Sequence, residues 1–154
     1  SQIMVCPSPC FINDPPSYYG GFETSDLEEL INLMDKNYIG WAEYLAPLVM
    51  GPNATQDLVG ELSGSFCSTD PVIAKTFAKA TFFSDHRDLL PKSELKTLII
   101  QSASDSLASV GVGEYLKENL SNSFLQVIDS KGHCLHMTDP DETNRLIFNF
   151  LEIE

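Results

Sequence analysis

Ile128-Asp129-Ser130-Lys131-Gly132-His133-Cys134-Leu135-His136-Met137-Thr138-Asp139-Pro140 reads as a strand end, a glycine turn, a histidine and a helix start. The run before it, Phe124-Leu125-Gln126-Val127-Ile128, is short and mostly apolar, the pattern of a strand buried on both faces. After it, Asp139 is placed to cap a helix, with Pro140 at the first helical position and Glu142 three residues on. That is the reciprocal arrangement that satisfies orphan amides at a helix start. Working outward, Thr97-Leu98-Ile99-Ile100-Gln101 is a second buried strand, with Asp105 four residues beyond its end. An acid and a histidine just past the ends of neighbouring parallel strands lie where open α/β sheets hold their ligand sites.

A chain of 154 residues, 43% hydrophobic and 20% charged, is long enough for one core of ordinary size and carries no tract that reads as disordered. The net charge of −13 and the scatter of only nine Lys and Arg residues exclude a nucleic-acid stripe and leave a solvated acidic surface. Cys6, Cys10, Cys67 and Cys134 form no C-x-x-C pair and no zinc spacing, so reduced thiols and a cytoplasmic setting are expected. No signal peptide, lipidation motif or bilayer-spanning apolar run is present. Ser1 to Cys6 already reads as a strand, without a lead-in, which suggests that the chain is part of something longer.

The chain divides into three regions. Residues 1–21 are a first core strand and a proline-rich loop, residues 22–85 are helical, and residues 86–154 return to alternating strand and helix. Ser25 and Glu28 read as a capping box for a helix with Leu27, Leu30, Ile31 and Met34 on one face. Trp41, Tyr44, Leu45, Leu48 and Val49 form the stripe of a second helix, with Pro47 expected to kink it or tighten its last turn. A third, weakened by Gly60 and Gly64, carries Leu58, Leu62 and Phe66. Asp70-Pro71 starts a fourth, with Val72, Ile73, Phe77 and Ala80 as its stripe. Four consecutive helices exceed a simple crossover and read as an inserted cap. The rest, strand, helix at Val110–Leu120, strand and a final helix with Leu146, Ile147, Phe150 and Leu151, implies parallel pairing with right-handed crossovers.

Asp105 and His133, in that order with one helix and one strand between them, match the second and third members of a Ser-His-Asp site. The competing reading makes Asp105 a turn residue and His133 a loop histidine satisfied by backbone. No nucleophile elbow accompanies them: Gly60-Glu61-Leu62-Ser63-Gly64 has its serine one position late and lies in a helical region. His133, His136 and Glu142, an H-x-x-H pair with a later acid, could converge on a metal, but the loop setting of the two histidines does not favour that reading. The cap aromatics, Trp41, Tyr44, Phe66, Phe77, Phe82 and Phe83, read as packing between helices or as the wall of an apolar pocket.

The runs Gly20-Gly21-Phe22, Lys36-Asn37-Tyr38-Ile39-Gly40-Trp41, Phe66-Cys67-Ser68-Thr69-Asp70-Pro71-Val72-Ile73-Ala74, Phe82-Phe83-Ser84-Asp85-His86-Arg87 and Gly132-His133-Cys134 closely resemble the RsbQ-type α/β-hydrolases of bacterial sigma-B stress signalling. The plant strigolactone and karrikin receptor hydrolases are more distant relatives of that group. The resemblance covers essentially the whole chain but only the C-terminal part of the family. It implies the C-terminal half of an α/β-hydrolase fold, beginning in the sixth core strand, with a four-helix V-shaped cap. Asp105 would be the catalytic acid and His133 the catalytic histidine, while Trp41, Leu45 and Phe82 would face a small hydrophobic ester-like or lactone-like ligand. Ser109 and Lys96 stand where relatives usually carry prolines. The resemblance implies no cofactor and a serine upstream of Ser1, so the chain alone is expected to be inactive. Expected partners are the missing N-terminal half as a second chain, or self-association through the unpaired first strand, and a phosphatase with a sensor domain. The alternative implied is a non-catalytic binding module that activates such a phosphatase.

Overall fold

Alternate residues of Leu98-Ile99-Ile100 must point to opposite faces of a strand, so a run without polar residues demands cover on both sides. The computed structural model, which describes residues 1–152, supplies that cover. Three strands, β1 (Gln2–Val5), β2 (Thr97–Ser104) and β3 (Ser123–Lys131), form a parallel sheet in the order β1-β2-β3. Ile99 faces α5 (Val110–Asn119) with Val112, Leu116 and Leu120, whereas Leu98 and Ile100 face the opposite layer with Ile128, Leu135 and Phe150. That second layer is made by the short α6 (Leu135–Thr138) and by α7 (Pro140–Glu152). This is a parallel α/β sheet with crossover helices.

Between β1 and β2 run the proline-rich loop and four helices, α1 (Thr24–Lys36), α2 (Tyr38–Met50), α3 (Gln56–Ser68) and α4 (Pro71–Phe82). The loop is held to the far end of the cap by Arg87, which donates to Asp14 and Asp85 and lies over the Tyr18 ring. Its guanidinium in turn holds the Asp85 carboxyl below the usual carboxylate range. The described residues contain no helix long and apolar enough to cross a membrane.

Several local expectations change. β2 runs on to Ser104, so Asp105 follows the strand directly. β3 is not buried on both faces: as the outer strand it leaves Phe124 and Val127 about half exposed. α1 starts before Ser25, because Asp26 accepts from the Glu23 amide at 2.9 Å and takes the capping role expected of Glu28. Asn37 alone divides α1 from α2, accepting from the Gly40 amide, and α2 continues through Pro47. A 3-10 turn, Arg87–Lys92, stands before β2, within the region expected to alternate strand and helix. Glu142 does not reach back to start α7; its carboxylate takes two Arg145 donors at 2.7 and 2.6 Å.

Of the cap stripes, that of α2 holds in part and that of α4 turns over. α2 buries Trp41, Ala42, Leu45, Ala46, Val49 and Met50, leaving Tyr44 and Leu48 on the outer side. α4 buries Ala78 and Phe82, while Val72, Ile73 and Phe77 are 74%, 65% and 72% exposed. The Lys75–Asp35 ion pair links α4 to α1. Among the described residues nothing covers Val72, Ile73 and Phe77 on the other face of α4.

Candidate active site

The end of β2 and the start of the histidine loop are joined by backbone and hydroxyl bonds. The β2/β3 register shifts between Ser102 and Ser104, a bulge of the kind that re-aims the chain as it leaves a strand. Ser102 Oγ donates to the Ser130 carbonyl at 2.8 Å, and the Gly132 amide donates to the Ser104 carbonyl at 2.8 Å. The cap grips the same loop, because the His133 amide donates to the Val49 carbonyl at 2.7 Å. Backbone meets backbone here. A Cβ on Gly132, whose φ is 102°, would lie 2.1 Å from the Met50 carbonyl oxygen, and one on Gly51, with φ 82°, would lie 2.8 Å from Gly132 Cα. Only glycine meets both the left-handed conformation and the close approach.

That scaffold places His133 Nδ1 2.8 Å from Asp105 Oδ2. The other carboxylate oxygen of Asp105 accepts the Leu107 amide at 2.7 Å, which fixes the carboxyl plane. Ser106 Oγ ties this turn to the cap by donating to the Leu48 carbonyl at 2.8 Å. The Asp105 side chain is fully buried, and that of His133 is 26% exposed. A carboxylate can only accept, so in the neutral ring it selects the Nδ1–H tautomer and leaves Nε2 as an acceptor. An imidazole held in this way can take a proton from a hydroxyl and be stabilised once charged. Ser109 starts α5 where relatives usually carry a proline, and Asp105 still reaches His133.

Sequence reasoning missed Cys6. It follows β1 directly with φ 46°, is 3% exposed, and its sulfur belongs to a group with Asp105 and His133 whose ligand-type atoms all lie within 4.8 Å of one another. Burial first, and the Asp105 charge second, push its thiol up to about 12. Burial and the same charge also raise the Cys134 thiol. The signal in the sequence was its position at the carboxyl end of a parallel strand.

The expected pocket residues Trp41, Leu45 and Phe82 share one buried cluster, but only one of them faces a cavity. Leu45 lines a cavity of about 560 Å³ between α1, α2 and the Asp105 turn, with Leu27, Leu30, Tyr44, Leu48 and Leu107 among its walls. Trp41 and Phe82 do not line it; both lie in the buried cluster that also contains Leu107 and Cys134. Trp41 stacks on Tyr38 with centroids 5.4 Å apart, and among the described residues its buried Nε1–H has no acceptor. His136 is exposed on α6, and Glu142 is engaged with Arg145, so neither joins His133. Ser63 lies inside α3, and among the described residues no serine hydroxyl bonds to His133.

No protein-family model matches the chain. It is 38% identical over 140 residues to the probable esterase D14L of Oryza sativa subsp. japonica, a match that covers 90% of this chain and 51% of the relative. Identity is again 38% over 140 residues with the karrikin insensitive 2 receptor CA of Petunia hybrida, covering 90% of this chain and 52% of that one. A solved hydrolase from Oleispira antarctica superposes with a TM-score of 0.96 at 63% identity, over 99% of this chain and 56% of its own. The chain thus spans about half the length of the curated relatives it matches. It carries part of the α/β-hydrolase fold, and its homologues are hydrolases, esterases and receptor hydrolases of the α/β-hydrolase superfamily.

Proposed function

We propose that this chain supplies the acid, the histidine and the cap of a serine hydrolase that acts on a small apolar ester or lactone. The observation that carries the reading is the 2.8 Å contact between His133 Nδ1 and the buried Asp105 carboxylate, whose second oxygen is already held by the Leu107 amide. In the reaction, Nε2 of His133 accepts the proton of a serine hydroxyl as it attacks the carbonyl. Asp105 stabilises the resulting imidazolium, which then returns the proton to the leaving alcohol. The serine belongs to a segment outside these residues, in the same polypeptide or on a companion chain that pairs with the free side of β1. The isolated residues would then be inactive. The leucine-rich wall of the cavity at Leu45, with Asp26 and Glu29 at its polar side, suits the apolar body of such a ligand.

A signalling role is the second reading. It is favoured by the likeness to a karrikin receptor and by the motifs shared with RsbQ-type hydrolases, whose sigma-B pathway works through a phosphatase with a sensor domain. In that role a cytoplasmic protein captures the ligand and contacts the phosphatase, with or without turnover. Hydrolysis of a short-chain p-nitrophenyl ester, measured with these residues joined to a segment carrying a G-x-S-x-G elbow, tests the first reading. Turnover that disappears in His133→Ala is expected; turnover that survives the substitution contradicts the role assigned to His133.

A further inference from the structure

The hydrolase chemistry uses Asp105 and His133 but leaves the third member of their cluster, Cys6, without a task. A thiol, an imidazole and a carboxylate are the three side chains from which zinc sites are most often assembled. Bond lengths of about 2.3 Å to sulfur and about 2.0–2.2 Å to nitrogen or oxygen put two ligands of one tetrahedral ion roughly 3.3–3.6 Å apart. Here the candidate ligand atoms all lie within 4.8 Å of one another, and the Nδ1 to Oδ2 separation is 2.8 Å. Side-chain shifts of about one ångström therefore suffice to surround an ion. The partial exposure of the His133 side chain gives it a way in. The site also carries one buried carboxylate charge that no Lys or Arg neutralises among the described residues.

We propose that Cys6 Sγ, a carboxylate oxygen of Asp105 and Nδ1 of His133 form a site for a soft divalent cation, Zn²⁺ in the first instance, whose binding takes the pair out of catalysis. The cation displaces the thiol proton, which leaves to solvent, and the thiolate becomes a ligand; a bound ion makes this favourable where burial alone opposes it. Coordination through Nδ1 moves the remaining imidazole proton to Nε2, the atom that must accept the serine proton. The Asp105–His133 hydrogen bond and the metal are thus mutually exclusive. Binding stands on the cluster alone; only the inhibition rests on the hydrolase reading.

Cobalt(II) titration of the chain separates the two, because it needs no turnover. One equivalent should produce thiolate-to-cobalt charge-transfer absorption and tetrahedral d–d bands, both removed by Zn²⁺. Cys67→Ser, at the exposed cysteine, should leave the spectrum unchanged, while a folded Cys6→Ser should lose the charge-transfer band. His133→Gln should weaken binding by at least about tenfold, the smallest effect typical even of outer-shell partners. Absence of the charge-transfer band in the unaltered protein, its survival in folded Cys6→Ser, or unchanged affinity in His133→Gln would each overturn the proposal. If Cys6→Ser does not fold by circular dichroism, His133→Gln decides.

Discussion

The sheet core and the outer pair of cap helices are drawn from similarly apolar sequence, yet they bury it to very different extents. Ile99 and Ile100 on β2 and Val112 on α5 are wholly inaccessible, whereas α3 has no fully buried residue and α4 turns Val72, Ile73 and Phe77 outward. The inner cap pair, α1 and α2, sides with the core through Leu27, Ala42, Ala46 and Met50. The boundary between well-packed and loosely packed structure therefore runs through the cap, between α2 and α3. On the packed side lie every bond that orients Asp105 and His133, including those donated to Val49 and Leu48 of α2. Few buried contacts mean low local stability, so α3 and α4 are where the molecule opens first.

The largest contrast expected is chemical. With the Cys6 thiol pushed up to about 12, about one molecule in ten thousand carries its thiolate at pH 8. Disulfide-exchange labelling of the native chain should modify Cys67 rapidly and Cys6 only on unfolding, read by mass spectrometry. Rapid labelling of Cys6 would erase the distinction. Stability should divide the same way. Leu27→Ala should cost about 3–5 kcal/mol in urea unfolding, and Phe77→Ala no more than about 0.5 kcal/mol. Equal costs would mean that α4 is covered in solution. Gly132→Ala forces a left-handed residue against the Met50 carbonyl, and should cost about 2–3 kcal/mol while separating the histidine loop from α2. The smallest effect has the opposite sign. A Cβ at Gly60 or Gly64 meets nothing within 4 Å, so Gly60→Ala and Gly64→Ala should each stabilise by about 0.5–1 kcal/mol in thermal unfolding.

Legibility in the sequence divides along the same boundary. Leu98-Ile99-Ile100, the Asp105 and His133 positions and the Asp70-Pro71 helix start could be read because each depends on neighbours in the chain. The stripe of α2 could be read in part, through Trp41, Leu45 and Val49, and that of α4 could not, since which face is buried depends on what lies opposite. A reading that favours large residues selects Phe77, whereas α4 packs through Ala78 and Phe82. β3 looked doubly buried because its composition does not reveal that it is an outer strand. Cys6 joins the site only through parallel pairing of β1 with β2, a contact between segments far apart in the chain, with Val5 opposite Ile100.

The central claim is that Asp105 holds His133 with its proton on Nδ1 and Nε2 free to accept. Nitrogen-15 NMR of the imidazole, in protein labelled at histidine and compared with His133→Gln for assignment, reads that tautomer directly. The neutral Nδ1–H form, lost in Asp105→Asn, is the expected result. A neutral ring protonated at Nε2 in the unaltered chain would contradict the account, because the atom that has to receive the serine proton would already carry one.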